Sequence, residues 1–297
     1  MRGEIILLLV FLLIISSCQS TQQATNIGGI DMEFLPAQPP TDIFREDSEF
    51  KVGLKLVNNL PKIVENVNVC VYDLLGNDYG GIEKECQILN LAPAQKEENT
   101  IYPESKLIYF PEFGTYSYTN LELAPDNTII IVEMIYPLET KSSLDICLKK
   151  DPAYEVEEVN CETNQIFSGN KIRSDYAPIS IEKIESSITM EGENNGIYLD
   201  IYLKKPVNGE IIISNEDVRN LMEIKVGLGS DVQFNCESDE GGLIKFEENT
   251  KKVSCNTLVN LRDAYEVNSL NIILSYNYRI KLQTGQIPFK KKNKEDM

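Results

Sequence analysis

LNIILSYNYRIKL, Leu270 to Leu282, alternates without a miss: Leu270, Ile272, Leu274, Tyr276, Tyr278, Ile280 and Leu282 fall on one side, and Asn271, Ser275, Asn277, Arg279 and Lys281 are among the residues between. A period of two belongs to a strand with one buried face and one wet face, whereas a helix repeats near 3.6. The segment therefore predicts a long antiparallel strand. The same pattern recurs backwards along the chain. In EFKVGLKLVNN (49–59) Phe50, Val52, Leu54 and Leu56 share a face, and in NVNVCVYD (66–73) Val67, Val69 and Val71 do so with Cys70 opposite. KLIYF (106–110), NTIIIVEMIY (127–136) and SSLDICLKK (142–150) read as further strands, and the apolar run Ile129–Val132 suggests one covered on both faces.

Beyond residue 150 the chain turns polar and loop-like as far as Asp175, then resumes with PISIEKIESSITM (178–190) and GIYLDIYLKK (196–205), in which Ile197, Leu199, Ile201 and Leu203 face one way. MEIKVGLG, VQFNCES, GLIKFEE and KKVSCNTLV continue the pattern. Only SNEDVRNLM (214–222) reads as helical, with Ser214 as N-cap and acidic residues in its first turn. Many short strands with turn residues between them predict an all-β protein of two antiparallel β-sandwiches in tandem, residues 31–171 and 172–289. Residues 290–297, KKKNKEDM, read as a solvated, charged tail, with contact to anionic head groups as the alternative.

Seven cysteines are present. Cys70, Cys86, Cys147, Cys161, Cys236 and Cys255 fall into three sequence-local couples, and in an exported chain such an even set predicts disulfides joining Cys70 to Cys86, Cys147 to Cys161 and Cys236 to Cys255. Zinc is disfavoured as their use, because no C-x-x-C occurs and the chain has no histidine. The net charge of −18 disfavours a nucleic-acid partner and suits an exposed, soluble surface.

The start of the chain carries the one stretch with a specific meaning. Ile5–Ile15 is eleven uninterrupted apolar residues, too short for a bilayer span of about 20 but long enough for the apolar core of a signal peptide. Ile15-Ser16-Ser17-Cys18 resembles the lipobox of prokaryotic lipoproteins. That resemblance implies removal of residues 1–17 and a Cys18 that carries acyl chains and holds the protein to membrane lipid at the cell surface. An ordinary cleaved secretory signal is the alternative. Residues 18–30 then read as a polar, flexible tether.

From Pro39 to Tyr72, PPTDIFREDSEFKVGLKLVNNLPKIVENVNVCVY resembles the opening of the cell-adhesion-related (CARDB-type) Ig-like domains of prokaryotic surface proteins. The resemblance implies Ig-like sandwiches. With the lipobox, it is similar to the plan of archaeal and bacterial surface lipoproteins.

The absence of histidine removes Ser-His-Asp and Cys-His chemistry and H-E-x-x-H zinc sites, and no P-loop, G-x-S-x-G or G-x-G-x-x-G occurs. No catalytic residue and no cofactor is assigned. Asp73, Asp78, Glu237, Asp239 and Glu240 sit in Gly-bearing loops and are candidate calcium ligands, although no EF-hand spacing is present. Tyr116 and Tyr118 are expected as an exposed loop pair able to make contacts. The leading expectation is a non-enzymatic, lipid-anchored cell-envelope protein whose two Ig-like domains bind an unknown protein or glycan or make structural contacts. A hydrolase or accessory subunit working through a carboxylate pair is the alternative from another class. A lipoprotein component of a secretion or envelope-assembly machine is a third.

Overall fold

The computed structural model describes residues 29–291 apart from 41–43, 47, 76–77, 98–99, 154–160, 176, 208, 213–219 and 240. Cys18, the apolar run before it and residues 292–297 of the tail lie outside the described residues. Regular structure among those described is strand, with one short 3₁₀ turn at Gly169–Lys171, so the chain is all-β.

Strands are numbered here in chain order. The Leu270–Leu282 segment lies within β21 (Tyr265–Gln283), which pairs antiparallel with β10 (Ile130–Lys149) from Gln283 opposite Ile131 to Tyr265 opposite Lys149. That ladder is the middle of a nine-stranded sheet. On the β10 side lie β4 (Val64–Asp73) and β5 (Glu85–Leu91), and on the β21 side lie β16 (Leu221–Leu228) and β17 (Val232–Gln233). Short pairings add β12 (Arg173–Ser174) to β10, β15 (Glu210–Ile212) to β21 and β19 (Ile244–Lys245) to β16.

Two smaller sheets complete the main architecture. One orders β1 (Ile30–Phe34), β3 (Val52–Asn58) and β8 (Glu104–Phe110). The other orders β11 (Asn164–Ser168), β13 (Ser180–Glu191), β14 (Asn194–Lys204), β20 (Thr250–Val259) and β18 (Asn235–Cys236). A three-stranded patch joins β2 (Phe44–Arg45), β22 (Ile287–Lys290) and β9 (Asn127–Thr128), and β6 (Gln95–Glu97) pairs with β7 (Thr100–Tyr102).

Period two explains which faces meet. Every even-numbered residue of β10 from Ile130 to Leu148 is buried, and so is every even-numbered residue of β21 from Leu270 to Tyr278. Their side chains join those of β3, β4, β13, β14 and β20 in one contiguous apolar core. Three buried tyrosines stand midway along this face, with Tyr136 and Tyr278 rings 5.9 Å apart and Tyr276 and Tyr278 rings 6.5 Å apart, both edge-on. Two of their hydroxyls hold the beginnings of β1 and β13, one strand from each smaller sheet. Tyr136 accepts the N–H of Ile30 at the start of β1 (3.2 Å), and Tyr276 accepts the N–H of Ile179 just before β13 (3.4 Å) while sharing a hydrogen bond with Thr140 Oγ1 (3.1 Å). Each such bond, made where water is excluded, contributes about 1 kcal/mol net and would cost more if broken from one side only.

The opposite face of the ladder is closed by charge. Arg279, buried, donates from Nε to Glu210 (2.6 Å) and lies 3.6 Å from the buried Glu133, which Lys281 and Lys84 also approach at 3.7 and 3.8 Å. The cluster pins β15 to β21, because leaving one buried partner uncompensated would be costly.

The structure departs from expectation at the segment expected to be helical. Leu221 and Met222, expected to end a helix, are buried strand residues of β16 opposite Lys245 and Ile244; residues 214–219 of that expected helix lie outside the described residues. For Leu221 and Met222, burial against a neighbouring strand outweighs their place in a helical pattern. Pairing also crosses the expected boundary between residues 171 and 172. A ladder of nineteen residue couples joins β10 on one side of it to β21 on the other, so strands from the two halves share one sheet. Alternation reveals a strand and its buried face, but not which distant strand lies beside it.

Burial raises the Tyr276 phenol from its ordinary value of 10 to about 12, against the lowering pull of its bonds with Thr140 and Ile179, and burial pushes Tyr136 and Tyr278 up as well. The folded state thus holds these protons more tightly than the unfolded state. Their contribution to stability is complete below pH 10 and declines as pH rises towards 12 by up to about 1.4 kcal/mol per pH unit for each tyrosine. Thermal melts taken between pH 9 and 12 are expected to show a falling Tm, and Tyr276→Phe is expected to make that fall shallower while lowering stability at pH 8 by about 1–3 kcal/mol.

Candidate functional site

The outer face of the five-stranded sheet follows directly from register. Ile197, Leu199, Ile201 and Leu203 of β14 are buried, so Tyr198, Asp200 and Tyr202 point the other way. A register irregularity between Ile181 and Lys183 shifts the phase of β13, after which Ile184, Ser186 and Ile188 are buried and Lys183, Glu185 and Ser187 face outwards. Pairing then builds rows across strands. Asn164 lies opposite Ser187, Ser187 opposite Tyr198 and Tyr198 opposite Asn256. The next row runs Ile166, Glu185, Asp200, Ser254, and ends at Glu237, whose N–H donates to the Ser254 carbonyl (2.8 Å). These two rows line a groove of about 620 Å³.

Both edges of the groove are held covalently. Cys236 of β18 lies opposite Cys255 of β20 and is disulfide-bonded to it, next to Glu237. Cys161 is bonded to Cys147 of β10, three residues before Asn164 opens β11. The Gln165 side chain strengthens that edge by donating to the Cys147 carbonyl (2.5 Å) and accepting its N–H (3.4 Å). The third disulfide joins directly opposed residues, Cys70 of β4 and Cys86 of β5. All three couples are those the sequence spacing predicts. Loops of 14 to 19 residues closed in this way are each worth about 3 kcal/mol in the chain-entropy description. Disulfides of this number suggest an extracytoplasmic location.

Electrostatics within the groove are internally matched. Glu185 and Asp200 are directly opposed, an arrangement that repels when bare. Lys183 Nζ lies 2.8 Å from Glu185, and the Tyr202 hydroxyl donates to the same carboxylate at 2.9 Å; together these hold Glu185 below the usual carboxylate range. Burial pulls Asp200 up, but hydrogen bonds from Lys252 (2.7 Å) and Ser254 (2.7 Å) outweigh it and hold Asp200 low. Lys183 also lies over the Tyr202 ring, 4.1 Å from its centroid. Tyr198 stays 40% exposed, its hydroxyl donating to Glu191. The resulting surface is polar, and its facing carboxylates are ionised and paired.

A second groove, of about 700 Å³, lies between residues 62–66 and β10, β16 and β21, with Ile63, Pro137 and Leu221 among its walls.

The residues singled out from sequence have other places. Tyr118 is not exposed: it is fully buried, stacked on Phe50 at 5.4 Å and edge-on to Phe289 at 4.9 Å, and it donates to Asp73 Oδ2 at 2.7 Å. Tyr116 is half-buried and donates to Glu85 (2.5 Å). Bridges from Tyr116 to Phe50 and from Tyr118 to Gly80 draw FGTYSYTN onto the core, an outcome that its loop-like composition hides. Asp73 is buried and accepts the N–H groups of Leu75 (2.9 Å) and Ile82 (3.0 Å), so its oxygens organise the 73–82 loop. Asp239 accepts from Lys245 N (2.7 Å) and Lys251 Nζ (2.9 Å), while Asp78 is exposed and Glu237 lies in the groove. Glu240 and Cys18 lie outside the described residues. Among the described residues no group of three or more Cys, Asp or Glu is placed to hold a metal ion, and no helix is long and apolar enough to cross a membrane. Sequence reasoning missed Glu185, Tyr198, Asp200, Ser254 and Asn256. Their signal was their position between the apolar residues of GIYLDIYLKK and its neighbours, and register alone brings them together.

No family model matches the chain, and no curated protein matches it. Among solved structures, the secreted serine protease VesC from Vibrio cholerae aligns with 89% of this chain at 9% identity and a TM-score of 0.20. A DUF4466 family protein from Parabacteroides merdae ATCC 43184 aligns with 86% of it at 9% identity and a TM-score of 0.19. The chain spans 52% of the length of the first and 100% of the second. Neither likeness carries an argument about fold or function.

Gly81 tests the loop that Asp73 organises. Its φ is +84°, and a Cβ there would lie 2.4 Å from both Asp73 Oδ2 and a Tyr118 ring carbon. Gly81→Ala is expected to lower stability by about 2–4 kcal/mol in urea unfolding, and Asp73→Ala by a similar amount. Because the Asp73 and Asp239 oxygens are already engaged, adding Ca²⁺ or a chelator is expected to leave the Tm unchanged in a thermal-shift assay.

Proposed function

We propose that this chain is a non-enzymatic, lipid-anchored binding protein of the cell envelope, moored through Cys18 and presenting the outer face of its five-stranded sheet to a partner. The observation that carries this reading is a groove with one disulfide on its edge strand β18, another three residues before its edge strand β11, and facing carboxylates that are already charge-matched. A surface fixed before contact loses little freedom on binding, which suits recognition. In this reading the shared sheet and its two covering sheets form two sandwich-like, Ig-like halves, and the likeness of residues 39–72 to cell-adhesion-related domains belongs to the same picture.

Carboxylate-based hydrolysis fits the groove less well. A glycoside hydrolase needs one carboxyl group kept protonated by a raised pKa. Glu185 and Asp200 are both held below the ordinary range, and their neighbours Lys183 and Lys252 keep them so.

Membrane fractionation of cells expressing wild type and Cys18→Ser tests the anchor. The wild type is expected to sediment with membranes through a high-salt wash, and Cys18→Ser to appear in the medium or remain unprocessed. A Cys18→Ser protein that still resists the salt wash would remove the lipid anchor from the reading.

A further inference from the structure

We infer that the groove between β11 and β18 binds an uncharged polysaccharide strand, a ligand class that rests on the binding-protein reading above. The first argument is charge complementarity. The chain carries a net charge of −18, yet on this face Lys183 and Lys252 are committed to Glu185 and Asp200. A polyanion would meet Glu185, Asp200 and Glu237. A polycation would have to displace two lysines from pairs already formed. A neutral ligand meets neither penalty.

The second argument is the chemistry of the uncharged row. Asn164, Ser187, Tyr198 and Asn256 occupy consecutive strands in one line. Neighbouring strands are about 4.8 Å apart, so hydrogen-bonding groups recur at a step close to the rise of one pyranose unit. Amides and hydroxyls both donate and accept, as sugar hydroxyls require. Ionised Asp200, already accepting from Ser254 at 2.7 Å, adds a strong acceptor beside that line.

The third argument is the aromatic surface. Tyr198 is 40% exposed, and Glu191 fixes its hydroxyl, so the ring is oriented without being covered. An apolar ring with a tethered polar tip is suited to lie against the C–H face of a sugar. The groove's volume of about 620 Å³ is ample for several sugar units.

Affinity electrophoresis of the full chain in detergent tests this, in native gels containing galactomannan, xyloglucan or mannan, with heparin and polylysine as charged comparisons. Retardation by at least one neutral polysaccharide, insensitive to added salt, is expected. Tyr198→Ala and Asn256→Ala should each weaken it roughly tenfold, the loss of about 1.4 kcal/mol usual for a central contact. Tyr109→Ala, an exposed tyrosine on β8 away from the groove, should change nothing. Circular dichroism melts of the same samples establish that each variant is folded. Mobility unaffected by all three neutral polysaccharides, retardation confined to the charged polymers, or full binding by folded Tyr198→Ala would each overturn the proposal. A protein that remains membrane-bound through Cys18 but ignores neutral glycans would sink this inference and leave the envelope reading standing. Salt-resistant membrane binding by Cys18→Ser would do the reverse.

Discussion

The ladder between β10 and β21 is the constraint on which the rest depends. These two strands are separated by more than a hundred residues of chain, and their nineteen couples bring both halves into one sheet. A contact of such sequence separation is slow to find, because loop closure must precede any gain from pairing. What makes it worth finding is the buried row above it, with Tyr136, Tyr276 and Tyr278 at its centre. The Tyr136 hydroxyl takes up the N–H of Ile30 at the start of β1, and the Tyr276 hydroxyl that of Ile179 just before β13. Packing and hydrogen bonding thus locate β1 and β13 from a common origin.

From that origin the candidate site follows in steps. The tyrosine contact sets where β13 begins, the irregularity after Ile181 sets which of its residues face outwards, and the pairings with β14 and β20 place Glu185, Asp200 and Ser254 in line. Two disulfides then secure the strands at either edge. Edge strands are the parts of a sheet most free to fray or to pair wrongly. A covalent tie in or beside each edge strand limits both.

Much of this was legible in the sequence, and the reason differs by feature. Strand identity and the buried faces of β3, β14 and β21 were readable because a period of two is a local property. The three disulfide couples were readable because each closes a short loop. Register was not. Glu185, Tyr198 and Asn256 are far apart in sequence and become neighbours only through pairing, so no spacing rule could collect them. Tyr118 illustrates the opposite failure, since a segment with turn composition was drawn inwards by Phe44, Phe50 and Phe289. The ladder across the expected boundary was hidden for the same reason as the groove.

The unbroken burial of even-numbered residues from Ile130 to Leu148 has a further consequence. One strand supplies the floor of both halves, so their contributions to the shared core are kept in phase by a single count of residues. Deleting one residue between Leu138 and Leu144 would leave the first half facing inwards and turn Leu144, Ile146 and Leu148 to solvent. A change of two residues would preserve the phase, and a change of one would need a bulge to restore it.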